Sequence, residues 1–461
     1  MGRDTAVRSR TGKQASVYGL SWCRRLTEWF IAVLLSLFIL ICAPYQGITE
    51  VKYTLFLAVC GGYLALLLVS AAELMAIGQL RPCELLGIIK RQRTVWILAG
   101  IYLLFTAISA LLSPYDYDIW AGMSRKEGLL TQLIYIGVFL SVSAFGRLRT
   151  YHVRLFGAVM SVFCVICLLQ LAGLNPFGLY PEGYNYHDAY TAYSGEYLGT
   201  IGNADLVSAL LAMASALFYA AAFYEKGRAR ALGIALLCLT GFTLFAIKVA
   251  AGILAFAVTV LAATPLMLRE RRGAVWKRCA AAEAALVLLA LAAVILFDFG
   301  GSGTLHELHE LLHGRPDLSF GSGRFKIWRE VLTAMKGHLL LGTGPDSMQA
   351  WELPGFTRYI ESLGVTIESG IDMAHNEYLN VAAQQGLLAG AAFLALLLLT
   401  PAKALRRAGK PGVMLPLCAA AAYLVQALFG FSMCMTAPLF WAFLGLSISR
   451  EESGDLYEGN T

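Results

Sequence analysis

The sequence predicts an all-α membrane protein whose chain crosses the bilayer many times. Of its 461 residues, 58% are hydrophobic and only 14% are charged, whereas soluble domains are nearer a quarter charged. Many apolar runs reach the roughly 18 to 20 residues that a helix needs to cross a bilayer. Lysines and arginines recur between these runs, as in membrane proteins, and do not form the single patch that would bind nucleic acid. We therefore expect a lipid bilayer as partner and no nucleic acid.

About twelve apolar segments meet this length criterion and are predicted to be transmembrane helices. They lie at 26–45, 51–74, 94–112, 129–145, 155–172, 201–223, 231–247, 249–268, 280–298, 376–400, 411–431 and 434–449. No small-residue cleavage site follows the first run, which indicates an uncleaved start. The sequence therefore predicts an N-terminal tail (1–25), a transmembrane domain (26–449) and a C-terminal tail (450–461).

The charges between the segments support this count. If the N-terminal segment 1–25, which is rich in basic residues, is cytoplasmic, the connections 81–93, 147–154, 226–230, 269–278 and 403–410 are also cytoplasmic, and all are rich in lysine and arginine. The opposite connections 44–50, 113–128 and 173–200 are poor in both. Both termini are then cytoplasmic, and one large extracytoplasmic loop, 299–374, lies between spans 9 and 10. Residues 231–268 could form one long buried helix, but the alternation requires two spans with a tight outer turn at Lys248. That lysine could also be one that extends to the membrane surface without a further role.

Three outer segments contain most of the polar chemistry. The first, 113–128, includes Arg125, Lys126 and Glu127. The second, 173–200, is rich in tyrosine, which suits either a glycan channel or an interfacial aromatic belt. The third is loop 299–374, which is long enough that we expect helices within it.

One motif in the loop points to a different chemistry. The run His309-Glu310-Leu311-Leu312-His313 matches H-E-x-x-H, which on a helix places two imidazoles on one face for zinc. The third histidine of the longer protease motif does not follow. The run is therefore either a zinc site, an adventitious metal site or a solvated amphipathic helix, and we predict no metal.

The other loop motifs suit an anionic substrate. Arg324 and Trp328 are four residues apart and share one face of a helix, and a guanidinium binds phosphate through two parallel hydrogen bonds. A glycine turn, Gly342-Thr343-Gly344, lacks the lysine of a P-loop. His375 precedes an apolar helix, where its imidazole could accept a proton from a hydroxyl group or serve only structure. Asn203 could cap the next helix or face a polar cavity.

Together these motifs resemble the O-antigen ligase/polymerase family, bacterial membrane glycosyltransferases that use lipid-linked glycans. The resemblance rests on Arg324 with Trp328, the turn at 342–344, His375-Asn376, Gly386 and Gly390, and on the upstream runs 125–128 and 199–203. It covers about residues 100–450.

The resemblance implies a GT-C-like fold in the bacterial cytoplasmic membrane and no cofactor. The implied reaction transfers a glycan from undecaprenyl diphosphate to a hydroxyl acceptor, which is a sugar, a protein or a wall polymer, with inversion and without metal. The family's loop arginine corresponds to Arg324 and its base to His375. A second family arginine corresponds to Lys248, which keeps the charge and loses the planar fork. The residues expected to bind substrate are Arg125, Asn203, Trp328 and Asn376.

The sequence leaves three alternative functions open. The first is a polymerase of lipid-linked repeat units, which would share the same core. The second is a twelve-span transporter, although one oversized loop late in the chain is unlike two matched halves. The third is a zinc metalloprotease that uses His309 and His313.

Overall fold

The computed structural model describes residues 19–44, 47–175, 177–179, 198–271, 273–299, 303–360 and 365–449. Parts of the predictions lie outside these residues. They are most of the N-terminal tail, the C-terminal tail, and the tyrosines at 180, 184, 186, 190, 193 and 197.

The described chain is mainly helical. The helices are α1 (19–34), α2 (Leu37–Leu40), α3 (Ile48–Ala76, with a π turn at Leu57–Gly61), α4 (Pro82–Arg91), α5 (Arg93–Leu111), α6 (Leu129–Phe145), α7 (Thr150–Leu171), α8 (Ala204–Tyr224), α9 (Gly227–Ala246), α10 (Ala250–Arg271), α11 (Val275–Leu296), α12 (Gly303–Leu312), α13 (Arg324–Ala334), α14 (Glu377–Gln384), α15 (Gly386–Leu405), α16 (Pro411–Gln426) and α17 (Ala437–Ile448).

Eight helices in the described part of the chain are long and apolar enough to cross a membrane, judged by length and composition. They are α3, α5, α7, α8, α9, α10, α11 and α15. Three shorter apolar helices, α6, α16 and α17, accompany them. These helices agree with a protein that crosses the membrane many times. The count of twelve spans, the GT-C-like arrangement and the sidedness of the termini stay predictions.

Loop 299–374, called the outer loop here after its predicted location, contains the helices that its length predicts, α12 and α13, followed by short 3-10 turns at Met335–His338 and Met348–Trp351. It also contains an antiparallel hairpin of strands β1 (Phe356–Ile360) and β2 (Val365–Ser369). Among the described residues, this hairpin is the exception to the all-α fold class.

The tenth predicted span, 376–400, is two helices and not one. Helix α14 ends at Gln384 and α15 begins at Gly386, which has a φ of 85°. The amide of Leu387 donates to the carbonyl of Leu339 over 2.8 Å. The helix breaks because the outer loop packs against it here, a tertiary cause that apolar patterning cannot reveal.

Helix α8 lies at the centre of the bundle, and nearly all of its residues are buried. It packs against α9, α10 and α16. Helices α8 and α9 form an antiparallel pair, so the end of α9 and the start of α10 lie beside the first turn of α8. A Cβ on Gly252, in the first turn of α10, would touch Ser208 of α8. The short turn between α9 and α10 contains Lys248 at a φ of 57°, in agreement with the two-helix interpretation of 231–268.

Helix α11 contrasts with α8, because Val294 is the only buried residue of this helix. It packs mainly on α10, and α12 of the loop follows it in the chain. The imidazole Nδ1 of His309 in α12 lies 2.7 Å from the carbonyl oxygen of Val294. The beginning of the outer loop is therefore attached to a helix whose surface is mostly exposed.

Candidate functional site

Three separate parts of the chain bring charged side chains around His375, at one end of the helix bundle. Arg125 precedes α6, Asp205 lies in the first turn of α8, and Arg324 begins α13. His375 itself lies just before α14.

The backbone around His375 is held in a strained conformation from two sides. His375 has a φ of 46°, a left-handed value that few residues other than glycine adopt. The indole Nε1 of Trp328 donates to the carbonyl of Ala374 over 2.9 Å. The amide of Ala374 donates to Oδ1 of Asn380 over 3.2 Å. The imidazole packs edge-on against Phe431 at 5.4 Å, and its Nδ1 is buried without a hydrogen-bond partner among the described residues.

Removal from water keeps this imidazole neutral, while the surrounding charges act in opposite directions. Removal from water lowers the pKa of His375 to about 4. The carboxylates of Asp205 and Asp372 act to raise this pKa, and the guanidinium groups of Arg324 and Arg125 act to lower it. At neutral pH, His375 is therefore an uncharged base inside a ring of two cations and two anions.

The guanidinium of Arg324 is fixed by backbone carbonyls. Its Nε donates to Phe429 over 3.0 Å and its Nη1 donates to Gly321 over 2.8 Å. The remaining nitrogen, Nη2, lies 3.7 Å from Oδ2 of Asp205. Residues 321–323 precede the helix in left-handed conformations, which suits the glycines at both ends of Gly-Ser-Gly. The turn directs the arginine back toward the bundle.

Arg125 forms a tighter ion pair. Its Nε and Nη2 lie 2.8 and 2.7 Å from Oδ2 of Asp372. Its guanidinium carbon lies 5.4 Å from the centre of the Phe431 ring, a cation–π contact. Phe431 is buried, so it separates Arg125 from His375 as a rigid spacer.

A second carboxylate fixes the backbone at Arg125. Oδ2 of Asp346 accepts the amides of Arg125 and Glu127 over 3.2 and 3.3 Å. Burial raises the pKa of Asp346 to about 6, against the effect of these hydrogen bonds. The carboxyl of Glu127 accepts the hydroxyl of Tyr135 over 2.7 Å, and burial raises its pKa well above the ordinary value.

Two of the predicted substrate-binding residues cap helices. Oδ1 of Asn203 accepts the amide of Leu206 at the start of α8, and Oδ1 of Asn376 accepts the amide of Leu379 at the start of α14. Asparagine is among the preferred residues for this position. Of the two roles considered for Asn203, a helix cap or a residue of a polar cavity, the structure shows the helix cap.

The remaining cations do not meet at one point. Lys248 is exposed, with no ion pair or side-chain hydrogen bond recorded among the described residues, but its turn lies at the end of α8 that bears Asp205. Lys326 donates to the carbonyl of Gly355 over 3.3 Å, and Arg329 pairs with Glu330 at 2.8 Å. Of the loop cations, Arg324 is the one whose charge acts on His375.

The glycine turn joins the loop to the membrane helices. The amides of Thr343 and Gly344 donate to the carbonyl of Gln384 over 2.7 and 2.8 Å. Gly342 has a φ of 68°, and a Cβ there would collide with that same carbonyl. The turn therefore serves close packing of the loop against the end of α14.

The H-E-x-x-H histidines have other partners. Nδ1 of His309 faces the carbonyl of Val294, and Nδ1 of His313 faces the carbonyl of His309 at 2.8 Å. Glu310 pairs with Arg315 at 2.7 Å. Within the described residues, no group of three or more potential ligands is arranged to hold a metal ion.

Sequence patterns did not identify Asp205, Asp372, Asp346 or Phe431. Asp205 follows two residues after the helix cap Asn203, and Asp346 follows the glycine turn, so both lie beside recognised motifs. Asp372 lies in the loop three residues before His375. No local pattern pairs these acids with arginines elsewhere in the chain, because the partners are distant in sequence, 247 residues apart for Arg125 and Asp372.

The fold and this site define a class: a helical membrane protein with a neutral histidine and two arginines at one end of the bundle. Residues 233–394 match the family model for O-antigen ligase. The match includes Lys248, Arg324, Trp328 and His375, and it confirms the resemblance to the O-antigen ligase/polymerase family. It supports a membrane glycosyltransferase of this type. No curated protein matches the chain.

Proposed function

We propose that the protein transfers a glycan from undecaprenyl diphosphate to a hydroxyl acceptor on the outer face of the bacterial cytoplasmic membrane, as an O-antigen ligase does. In this proposal both termini are cytoplasmic and loop 299–374 is extracytoplasmic. The observation that supports it most is the neutral imidazole of His375 between Arg324 and Arg125. A base beside fixed cations suits attack by a hydroxyl group on a sugar that leaves an anionic diphosphate.

His375 acts as the general base. It accepts the proton of the acceptor hydroxyl as the oxygen forms a bond with the anomeric carbon. The bond between that carbon and the diphosphate oxygen breaks on the opposite side, so the configuration inverts. The electron pair of that bond leaves with undecaprenyl diphosphate.

The arginines stabilise the negative charge that grows on the leaving diphosphate. Backbone carbonyls already fix the Arg324 guanidinium, so little reorganisation is needed during the reaction. Arg125 supplies a second cation from another segment. Lys248 supplies a third from the turn beside the first helical turn of α8, in the role of the family's second arginine.

The neighbouring residues position these groups. Trp328 supports the backbone before His375. Asn203 and Asn376 act through the helix ends that they cap, which set Asp205 and His375 in place.

The direct test is transfer by three variants in cells that lack the chromosomal gene. Arg324→Ala and His375→Ala should each lose transfer, because removal of one such group costs about 3 to 4 kcal/mol of transition-state stabilisation, or roughly a factor of several hundred. Arg329→Ala is the matched control, because Arg329 lies on the same helix but is exposed and forms its ion pair with the neighbouring Glu330. Wild-type transfer by Arg324→Ala, with folded protein in the membrane, would contradict the proposal.

The product that accumulates in the deletion strain distinguishes ligase from polymerase. Loss of a ligase leaves full-length glycan on its lipid carrier. Loss of a polymerase leaves single repeat units. We expect full-length, unattached glycan.

A further inference from the structure

The Arg324 guanidinium has one nitrogen that is not engaged by the backbone. Nε and Nη1 donate to carbonyls at 3.0 and 2.8 Å, which orients Nη2 toward Asp205. The distance from Nη2 to Oδ2 of Asp205, 3.7 Å, is longer than the 2.7 to 2.9 Å typical of charge-assisted hydrogen bonds. By contrast, Arg125 and Asp372 make such bonds at 2.7 and 2.8 Å. Asp205 therefore neutralises Arg324 without binding it tightly.

The backbone of Asp205 is well fixed. Its carbonyl accepts the hydroxyl of Ser208 over 2.7 Å and the amide nitrogen of Gln426 over 3.4 Å. Its carboxylate lies in the first turn of the 21-residue helix α8, where the helix dipole stabilises negative charge. Asp205 thus retains a favourable electrostatic environment when Arg324 turns to another anion.

The same carboxylate acts on His375. Asp205 and Asp372 favour the protonated imidazole, whereas Arg324 and Arg125 oppose it. Asp372 already forms a tight ion pair with Arg125 through two short contacts. Asp205 is the acid in this ring that changes partner at the least cost.

We propose that Asp205 holds Arg324 in the free protein, yields it to the diphosphate of the donor, and then serves as the counter-ion of protonated His375. This inference rests on the proposed function. Asp205 is a positioning residue and takes no proton: the proton of the acceptor hydroxyl remains on His375 until it passes to water after the product leaves.

The first test measures binding of undecaprenyl diphosphate to the purified full-length protein in lipid nanodiscs, without acceptor. Asp205→Asn should bind it about 1.4- to fivefold more tightly than wild type, because a partly exposed ion pair is worth about 0.2 to 1 kcal/mol and the ligand no longer competes with it. In an Arg324→Ala background, Asp205→Asn should lose this advantage. Asp317→Asn is the matched control, since Asp317 is an exposed loop acid whose recorded partner is Ser319.

The second test separates this role from a purely structural one. With the native glycan donor, Asp205→Asn should lower both the KM for donor and kcat, since donor binds better and protonated His375 loses its counter-ion. Asp205→Glu should restore kcat at least in part. A structural defect would instead raise KM and would not respond to glutamate.

The outcomes are distinguishable. If wild type binds undecaprenyl diphosphate and Arg324→Ala weakens that binding, but Asp205→Asn binds as wild type does or more weakly, the role of Asp205 is refuted and the proposed function stands. If wild type does not bind the diphosphate, or binds it equally without Arg324, the proposed function itself fails.

Discussion

The indole of Trp328 donates a hydrogen bond to the carbonyl of Ala374, the residue before His375. Trp328 and Arg324 are one turn apart on α13, so the helix that supplies the arginine also supports the histidine. Their spacing in the sequence thus has a mechanical reason: one rigid element sets the distance between cation and base.

Trp328→Phe should reduce transfer about two- to tenfold while the protein remains folded. Phenylalanine keeps the ring packing but removes the hydrogen bond, whose net value is about 0.5 to 1.5 kcal/mol. The measurement is the initial rate of glycan transfer in membranes with equal amounts of protein. Trp351→Phe is the control, because it loses a comparable bond to Thr343 away from His375. Equal rates for wild type and Trp328→Phe would show that this hydrogen bond does not position His375 for transfer.

The pH dependence of kcat/KM should reflect the low pKa of His375. The neutral imidazole is the active form, so transfer should stay constant through neutral pH and fall to half near pH 4, where His375 gains a proton. An ordinary histidine would lose activity from about pH 6.5. A midpoint near 6.5 would show that burial does not control this group.

The same pKa affects stability. Because folding lowers the pKa of His375, its neutral form adds stability at pH values above the unfolded pKa, and this stability is lost as the pH falls through about 4. His375→Gln should therefore flatten the loss of thermal stability on acidification. A steeper loss in this variant would contradict the assignment.

Asp346→Asn should be at least as stable as wild type at pH 7.5, whereas Asp346→Ala should lose about 1 to 3 kcal/mol. The asparagine oxygen still accepts the amides of Arg125 and Glu127. Folding raises the pKa of Asp346 to about 6, so ionisation costs stability as the pH rises from about 4 toward 6, and asparagine removes that cost. Thermal unfolding at pH 5 and 7.5 measures both effects. An equal loss of stability in the two variants would refute the role of Asp346 as acceptor of these two amides.

Chelation should leave transfer unchanged, and so should the double variant His309→Ala, His313→Ala. In the structure these histidines hydrogen-bond backbone carbonyls, and Glu310 is paired with Arg315. The assay is transfer in membranes washed with EDTA, with and without added zinc. Loss of activity that zinc restores would instead favour the metal interpretation of this motif.

Apolar patterning was enough to locate most of the helices, because burial in lipid or protein needs long apolar runs. It could not reveal the break at Gln385, since the competing hydrogen bond from Leu387 goes to Leu339 in the outer loop. It also could not reveal α4, a short helix that lies within a connection predicted only to be basic.

The site was predictable in part. The spacing of Arg324 and Trp328 and the position of His375 are local patterns, and the structure brings these residues together. The acids that balance the arginines were not predictable, because Asp205 and Asp372 act across long sequence separations and lie in no recognisable motif of their own. For Asn203 the sequence could not decide between a helix cap and a polar cavity, and Asn376 was predicted to bind substrate, although in the structure both cap helices.

The exposed helix α11 is connected, through the outer loop, to the candidate site around His375. With 22 residues at 1.5 Å each, α11 is about 33 Å long, close to the hydrocarbon thickness of a bilayer. With so little protein around it, its tilt will follow that thickness. The carbonyl of Val294 in α11 is hydrogen-bonded to His309 in α12. Glu307, also in α12, accepts a hydrogen bond from the amide of Gly321, and the carbonyl of Gly321 accepts one from Arg324. Thinner or thicker membranes should therefore shift the guanidinium and change the rate, even where no lipid touches the reacting sugar.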